Sequence, residues 1–140
     1  MEQEKDFLER EIQRLSLVLK TLTDRVLKIE PEGNDSDFED VNNSLKEEFG
    51  FSIESFGELE QPDLIIKIKE FHHFQIDELA ELLYLMVKSP NAKWKTQGSK
   101  IKSINNITFL IEYLNQHSTT FSLDRMRLES SLRLLKETID

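Results

Sequence analysis

An all-α fold follows from three features of this 140-residue chain. The first is an apolar stripe at helical spacing near the start. The second is a series of further amphipathic segments, each bounded by residues that cap helices. The third is a scarcity of turn formers: four glycines and three prolines are too few for a turn-rich β protein of this length. The expected architecture is an array of about five to seven helices, with a long amphipathic N-terminal helix followed by antiparallel helical hairpins.

The stripe comprises Leu8, Ile12, Leu15, Leu19, Leu22, Val26 and Ile29, at alternating steps of four and three. That spacing holds seven side chains on one narrow face, as in a coiled-coil seam. It predicts a helix over residues 3–29. Glu30-Pro31-Glu32-Gly33 ends it, because proline restricts the residue before it and glycine frees the backbone. Residues 30–36 therefore read as a linker, and 37–140 as a helical body in a single domain. Ser36-Asp37-Phe38-Glu39 has the pattern of a capping box, opening a helix with Phe38, Val41, Leu45 and Phe49 on its apolar face. Gly50 stands where a C-terminal cap belongs.

A short helix from Ser52 fits Ile53 and Phe56. Pro62 and Asp63 suit the first turn of another helix, running through Leu64, Ile65, Ile68 and Phe71. The β-branched run Leu64-Ile65-Ile66-Lys67-Ile68 also alternates enough for a strand. Leu79, Leu82, Leu83, Met86 and Val87 give a broad apolar face over residues 75–88, closed by Pro90. Residues 90–99 read as a loop. Ile101, Ile104, Ile107, Leu110, Ile111 and Leu114 then predict a helix to about Asn115. After a break at 117–120, Ser122 can cap a last helix carrying Leu123, Met126, Leu132, Leu135 and Ile139.

Residues 75–117 resemble a degenerate tetratricopeptide-type hairpin, although Leu83 and the run Ile107 to Ile111 stand where that family places small residues. The opening Glu4-Lys5-Asp6-Phe7-Leu8-Glu9-Arg10-Glu11-Ile12 is similar to that of uncharacterised bacterial proteins in which such a helix precedes a small tetratricopeptide-like body. The resemblance implies a helical array and a bacterial setting. It implies no activity and no site.

The charge of −9 is uneven. Residues 30–63 hold twelve acids and one base, Lys46, whereas residues 82–111 hold five lysines (Lys88, Lys93, Lys95, Lys100 and Lys102) and no acid. Such asymmetry steers a charged partner or draws two parts of one fold together. With no cysteine there is neither a disulfide nor a thiolate metal site. The charged opening lacks the apolar core of a secretory signal, and no segment approaches the roughly eighteen apolar residues of a membrane span. A cytoplasmic protein that does not enter membranes is the expectation.

Residue types and spacing mark several candidate sites. On the leading helix, Ile12, Leu19 and Val26 share one seam position, and Leu8, Leu15, Leu22 and Ile29 the other, a pattern suited to two-stranded pairing. Self-association and packing on the chain's own body both satisfy it. Trp94 between Lys93 and Lys95 reads first as ordinary core folded back over the helical hairpin; with Lys100 nearby it is also a candidate contact for a protein partner. Stacking on a nucleic-acid base is the weaker reading, given no arginine there and an acidic chain. Asp35, Asp37, Glu39 and Asp40 fail as a calcium loop, because its glycine position is Asp40 and its glutamate position is Lys46. His72 and His73 are adjacent and diverge on a helix, and His117 lies far away in sequence, so no metal site is expected. No cofactor motif and no catalytic template is present. The expected function is therefore non-enzymatic protein–protein contact, as an adaptor or as a homodimer through the first helix. The alternative is a ligand-binding or enzymatic domain with a pocket between helices, using His72, Glu78 or Tyr84.

Overall fold

A computed structural model describes residues 2–29, 35–120 and 122–139, with side chains from Asp6 in the first helix and Ser36 in the second. Among these there are seven helices and no strand: α1 (Glu2–Leu27), α2 (Asp35–Phe49), α3 (Ile53–Phe56), α4 (Gln61–Ile68), α5 (His73–Lys88), α6 (Gln97–His117) and α7 (Leu123–Ile139). The all-α class is thus correct, including the long first helix. Residues 30–34 of the expected linker lie outside the described residues. Asp35 and Ser36 of that linker belong instead to the first turn of α2.

Several caps act as their residue types dictate. Ser52 Oγ accepts from the Ser55 N–H at the start of α3, and Ser122 Oγ accepts from the Arg125 N–H at the start of α7. Gly50 takes φ +83°, which only glycine adopts without strain, while its N–H closes on the Lys46 carbonyl at 2.8 Å. Other boundaries differ from expectation too, and α5 begins at His73, two residues before its apolar face. α6 begins four residues before Ile101, because Thr96 Oγ1 accepts from the Ser99 N–H at 3.0 Å and so starts the helix ahead of its apolar stripe. In α4 the run from Leu64 is helical, with Leu64 and Ile68 buried one turn apart, and it stops at Ile68 without reaching Phe71.

α5 is the centre. Leu79, Ala80, Leu82, Leu83, Met86 and Val87 are all buried in one core with Leu45, Phe56, Leu64, Ile107, Leu110 and Leu114 from the surrounding helices. The pairing of Asp77 with Arg125 near the end of α6 places α5 and α6 antiparallel, and α5 and α7 side by side in the same direction. α1 and α2 form an antiparallel hairpin, fixed at one end by Arg14 on Glu48 (3.0 and 3.2 Å) and approaching at the other through Arg25 and Asp40 (3.9 Å).

α1 lies in the notch between α2 and α5, so the seam is covered by the chain itself. Leu19, Leu22 and Val26 are buried; Leu15 and Ile29 pack against the same core while keeping some exposure. Gln75, on the first turn of α5, is 2% exposed; its amide donates to the Ile12 carbonyl (2.9 Å) and to Ser16 Oγ (3.2 Å), and its oxygen accepts from the His72 N–H. A buried amide so fully bonded ties α1 to α5 at one register.

Candidate functional site

Two regions emerge from this packing, an arm and a cleft. The arm follows from where the flanking helices end. α5 starts beside Ile12, since Gln75 is its third residue, and α2 finishes beside Arg14, since Glu48 is its penultimate one. The ten residues of α1 before Ile12 therefore run past both, a length of about 15 Å at helical rise. Phe7 and Leu8 on this arm are 63% and 59% exposed. Of the seven seam candidates, Leu19, Leu22 and Val26 are enclosed by their own chain and are closed to a second copy while α1 stays docked; Leu8 is exposed, and Ile12 sits at the boundary.

The cleft, about 670 Å³, opens where α5 and α7 begin and α6 ends. Its walls include His72, His73, His117, Phe71 and Phe74, with Asp77 and Arg125 at the base. All three histidines of the chain thus line one hollow, which their separation in sequence conceals. Among the described residues no group of three histidines, aspartates or glutamates is placed to share a metal ion. His117 Nδ1 stands 2.9 Å from the Tyr113 carbonyl, its ring stacked on Tyr113 at 4.2 Å. Because a carbonyl only accepts, Nδ1 carries the proton and Nε2 is left for other contacts. His72 stacks on Phe74.

Arg125 is the structural key of this end and went unnoticed in the sequence. Its side chain is 6% exposed and grips Asp77 with two parallel bonds, Nε to Oδ1 at 2.9 Å and Nη2 to Oδ2 at 2.8 Å. Hydrogen bonding to Asp77 raises the Arg125 pKa above its usual value, against the opposing effect of burial. The bidentate geometry is what a planar guanidinium offers a carboxylate. No local signal points to the pair, since 48 residues separate its members.

No protein family, curated protein or solved structure matches this chain.

The remaining sequence candidates fall elsewhere. Lys93 Nζ reaches Glu39 Oε1 at 3.1 Å, and its backbone N–H donates to Glu54 Oε2 at 3.0 Å, so the acidic and lysine-rich segments meet here within one fold. Trp94 packs on the core with its indole N–H buried and without a hydrogen-bond partner. Lys95 is exposed and Lys100 half-buried. Glu78 and Tyr84 line an adjoining groove between α5 and α7, which shares Phe74, Asp77, Ser122 and Arg125 with the cleft but does not reach His72. The Glu78 carboxyl is raised above its ordinary 4.5 by burial first, then by Glu81 and Asp77, with Lys20 opposing. No helix among the described residues is long and apolar enough to cross a membrane.

Proposed function

We propose that this chain works through non-enzymatic protein–protein contact, with the arm of α1 as the contact surface and a second copy of the chain as its first partner. The observation that carries the reading is the exposure of Phe7 and Leu8 on turns that outrun both supporting helices. A helix turn with bare apolar side chains and no tertiary support gains from being covered, because isolated turns are marginal in water. Two arms of about three turns bury less than a standard interface of roughly 1,600 Å², so the association is weak and depends on concentration. The same surface suits an adaptor role in which another helix replaces the second copy.

Sedimentation velocity across a concentration series tests this. The expected result is a reversible monomer–dimer equilibrium, abolished in the Phe7→Glu/Leu8→Glu variant while the melting temperature holds, since neither side chain is part of the core. A strict monomer at high concentration sinks the dimer.

A further inference from the structure

The groove between α5 and α7, which adjoins the cleft, carries an interaction that does not depend on the arm. We propose that it docks an amphipathic helix of a partner protein, one whose apolar face is flanked by lysine or arginine. The groove has a volume of about 570 Å³ and runs from Phe74 and Ser122 to Leu85 and Ser131. Along α5 that is eleven positions, or about 16 Å at helical rise, which matches three turns of an incoming helix. α7 leaves the space open because it leans on the core through Leu132, its one buried apolar side chain among the described residues. Apolar surface lies at both ends. Phe74, 51% exposed, stands at one end, and Tyr84, Leu85 and Leu128 stand at the other. Two patches so far apart fit side chains at i and i+11 on one face of a helix, with i+4 and i+7 between them.

Charge selects the partner. Glu78 and Glu81 on α5 and Asp124 on α7 line the groove, and none of the three forms an ion pair among the described residues. The fourth carboxylate of the lining, Asp77, is held on both oxygens by Arg125, and Arg127 is the one other base there. Lys88 stands over the Tyr84 ring, its Nζ 5.2 Å from the centroid, so this wall already accepts an ammonium against an aromatic face. Around Glu78 the balance stays negative. Its carboxyl is raised by burial, then by Glu81 and Asp77, and Lys20 on α1 offsets only part of this. A cation brought by a partner relieves that repulsion, whereas an acidic partner adds to it. The same charge turns away the arm of a second copy, which presents Asp6, Glu9 and Glu11 against Arg10 among its described side chains.

The test titrates the full chain with a synthetic helix of about eighteen residues, carrying leucine at i, i+4, i+7 and i+11 and lysine at the flanking positions. Backbone amide shifts are followed by NMR, and affinity by fluorescence anisotropy of the labelled peptide. The expected result is saturable one-to-one binding, with the largest shifts on α5 and α7 around Glu78, Glu81 and Asp124. Glu81→Lys/Asp124→Lys, at two exposed positions outside the core, weakens binding roughly tenfold, and Phe74→Ser roughly threefold, with the melting temperature held. Two control peptides, one with glutamate for lysine and one with alanine for leucine, each bind roughly tenfold more weakly than the parent. Shifts that do not saturate or that centre on another surface, wild-type affinity in the Glu81→Lys/Asp124→Lys variant, or equal binding of either control overturns the proposal. So does altered self-association of that variant in sedimentation velocity, which assigns the groove to a second copy. If a variant fails to fold, the three peptides on the wild-type chain decide alone. The arm variant Phe7→Glu/Leu8→Glu binds the peptide normally, so failure of the dimer and failure of this groove are separable.

Discussion

The two ends of α6 meet opposite surroundings. Towards its start, α6 stitches α3 into the fold with buried polar side chains: Ser103 Oγ donates to the Ile53 carbonyl (3.0 Å) and accepts from the Gly57 N–H (3.1 Å), while Asn106 Nδ2 donates to the carbonyls of Phe56 and Leu59, both at 2.9 Å. Beyond α3, Asn42 bonds Glu54 and the Ile53 N–H, and Glu54 in turn accepts from the Lys93 N–H. At the far end of α6, among the described residues, cohesion rests on the buried Arg125–Asp77 pair, with Asn115 Oδ1 accepting from Arg125 at 3.4 Å, beside an open cleft. One end spreads its cohesion over many modest bonds, and the other concentrates it in Arg125. Structure that must stay fixed is tied redundantly; surface left free to meet something else is held by few contacts.

That contrast orders the effects of substitution. Arg125→Ala has the largest, because it strands the Asp77 carboxylate: about 3 kcal/mol, the low end for breaking such a pair since Asp77 keeps a third of its side chain in contact with water. Chemical denaturation measures the loss, and hydrogen exchange should accelerate in α7 before α3. Asn106→Ala comes next, at about 2 kcal/mol, from two carbonyls left without their donor. A loss as large as that of Arg125→Ala would break the comparison. Gly57→Ala follows at about 1–2 kcal/mol, since a Cβ there would lie 2.5 Å from the Ser103 nitrogen and 2.7 Å from Lys102 Cβ, and the backbone must shift to admit it.

Glu78→Gln is the smallest and has the opposite sign. The folded carboxyl holds its proton more tightly than the unfolded one, so the native state binds more protons and loses stability as pH rises past 4.5. The glutamine variant should therefore be more stable at pH 7, by about 0.3 kcal/mol, a small figure because the side chain is only half-buried and solvent still screens it. The advantage should vanish below pH 4. Thermal melts at the two pH values check both halves, and a gain that persists in acid would assign the effect to packing rather than charge.

Local rules made most of the fold legible. Ser52, Pro62, Ser122 and Gly50 mark their boundaries through side-chain and backbone chemistry confined to a few residues, and the apolar faces of α2, α5 and α6 follow from helical period. The seam of α1 was legible as a stripe but not in what covers it, because periodicity records which face is apolar and says nothing of what lies opposite. The cleft was hidden for a related reason. His72 and His117 stand 45 positions apart, and only the antiparallel return of α6 brings them together. Gly57 gave no warning either: its backbone is ordinary helix, and its need for a missing Cβ arises from α6 pressing against it.

Gln75 clasps a carbonyl 63 positions upstream. During synthesis α1 can fold back on α2 as soon as α2 is made, yet its other flank waits until α5 leaves the ribosome, roughly 2–8 s later at elongation rates of about 5–20 residues per second. Throughout that interval the greasy side of the nascent hairpin is open to chaperones and to neighbouring chains on the same message. The order in which the helices are made thus creates a window of vulnerability that the finished molecule no longer displays.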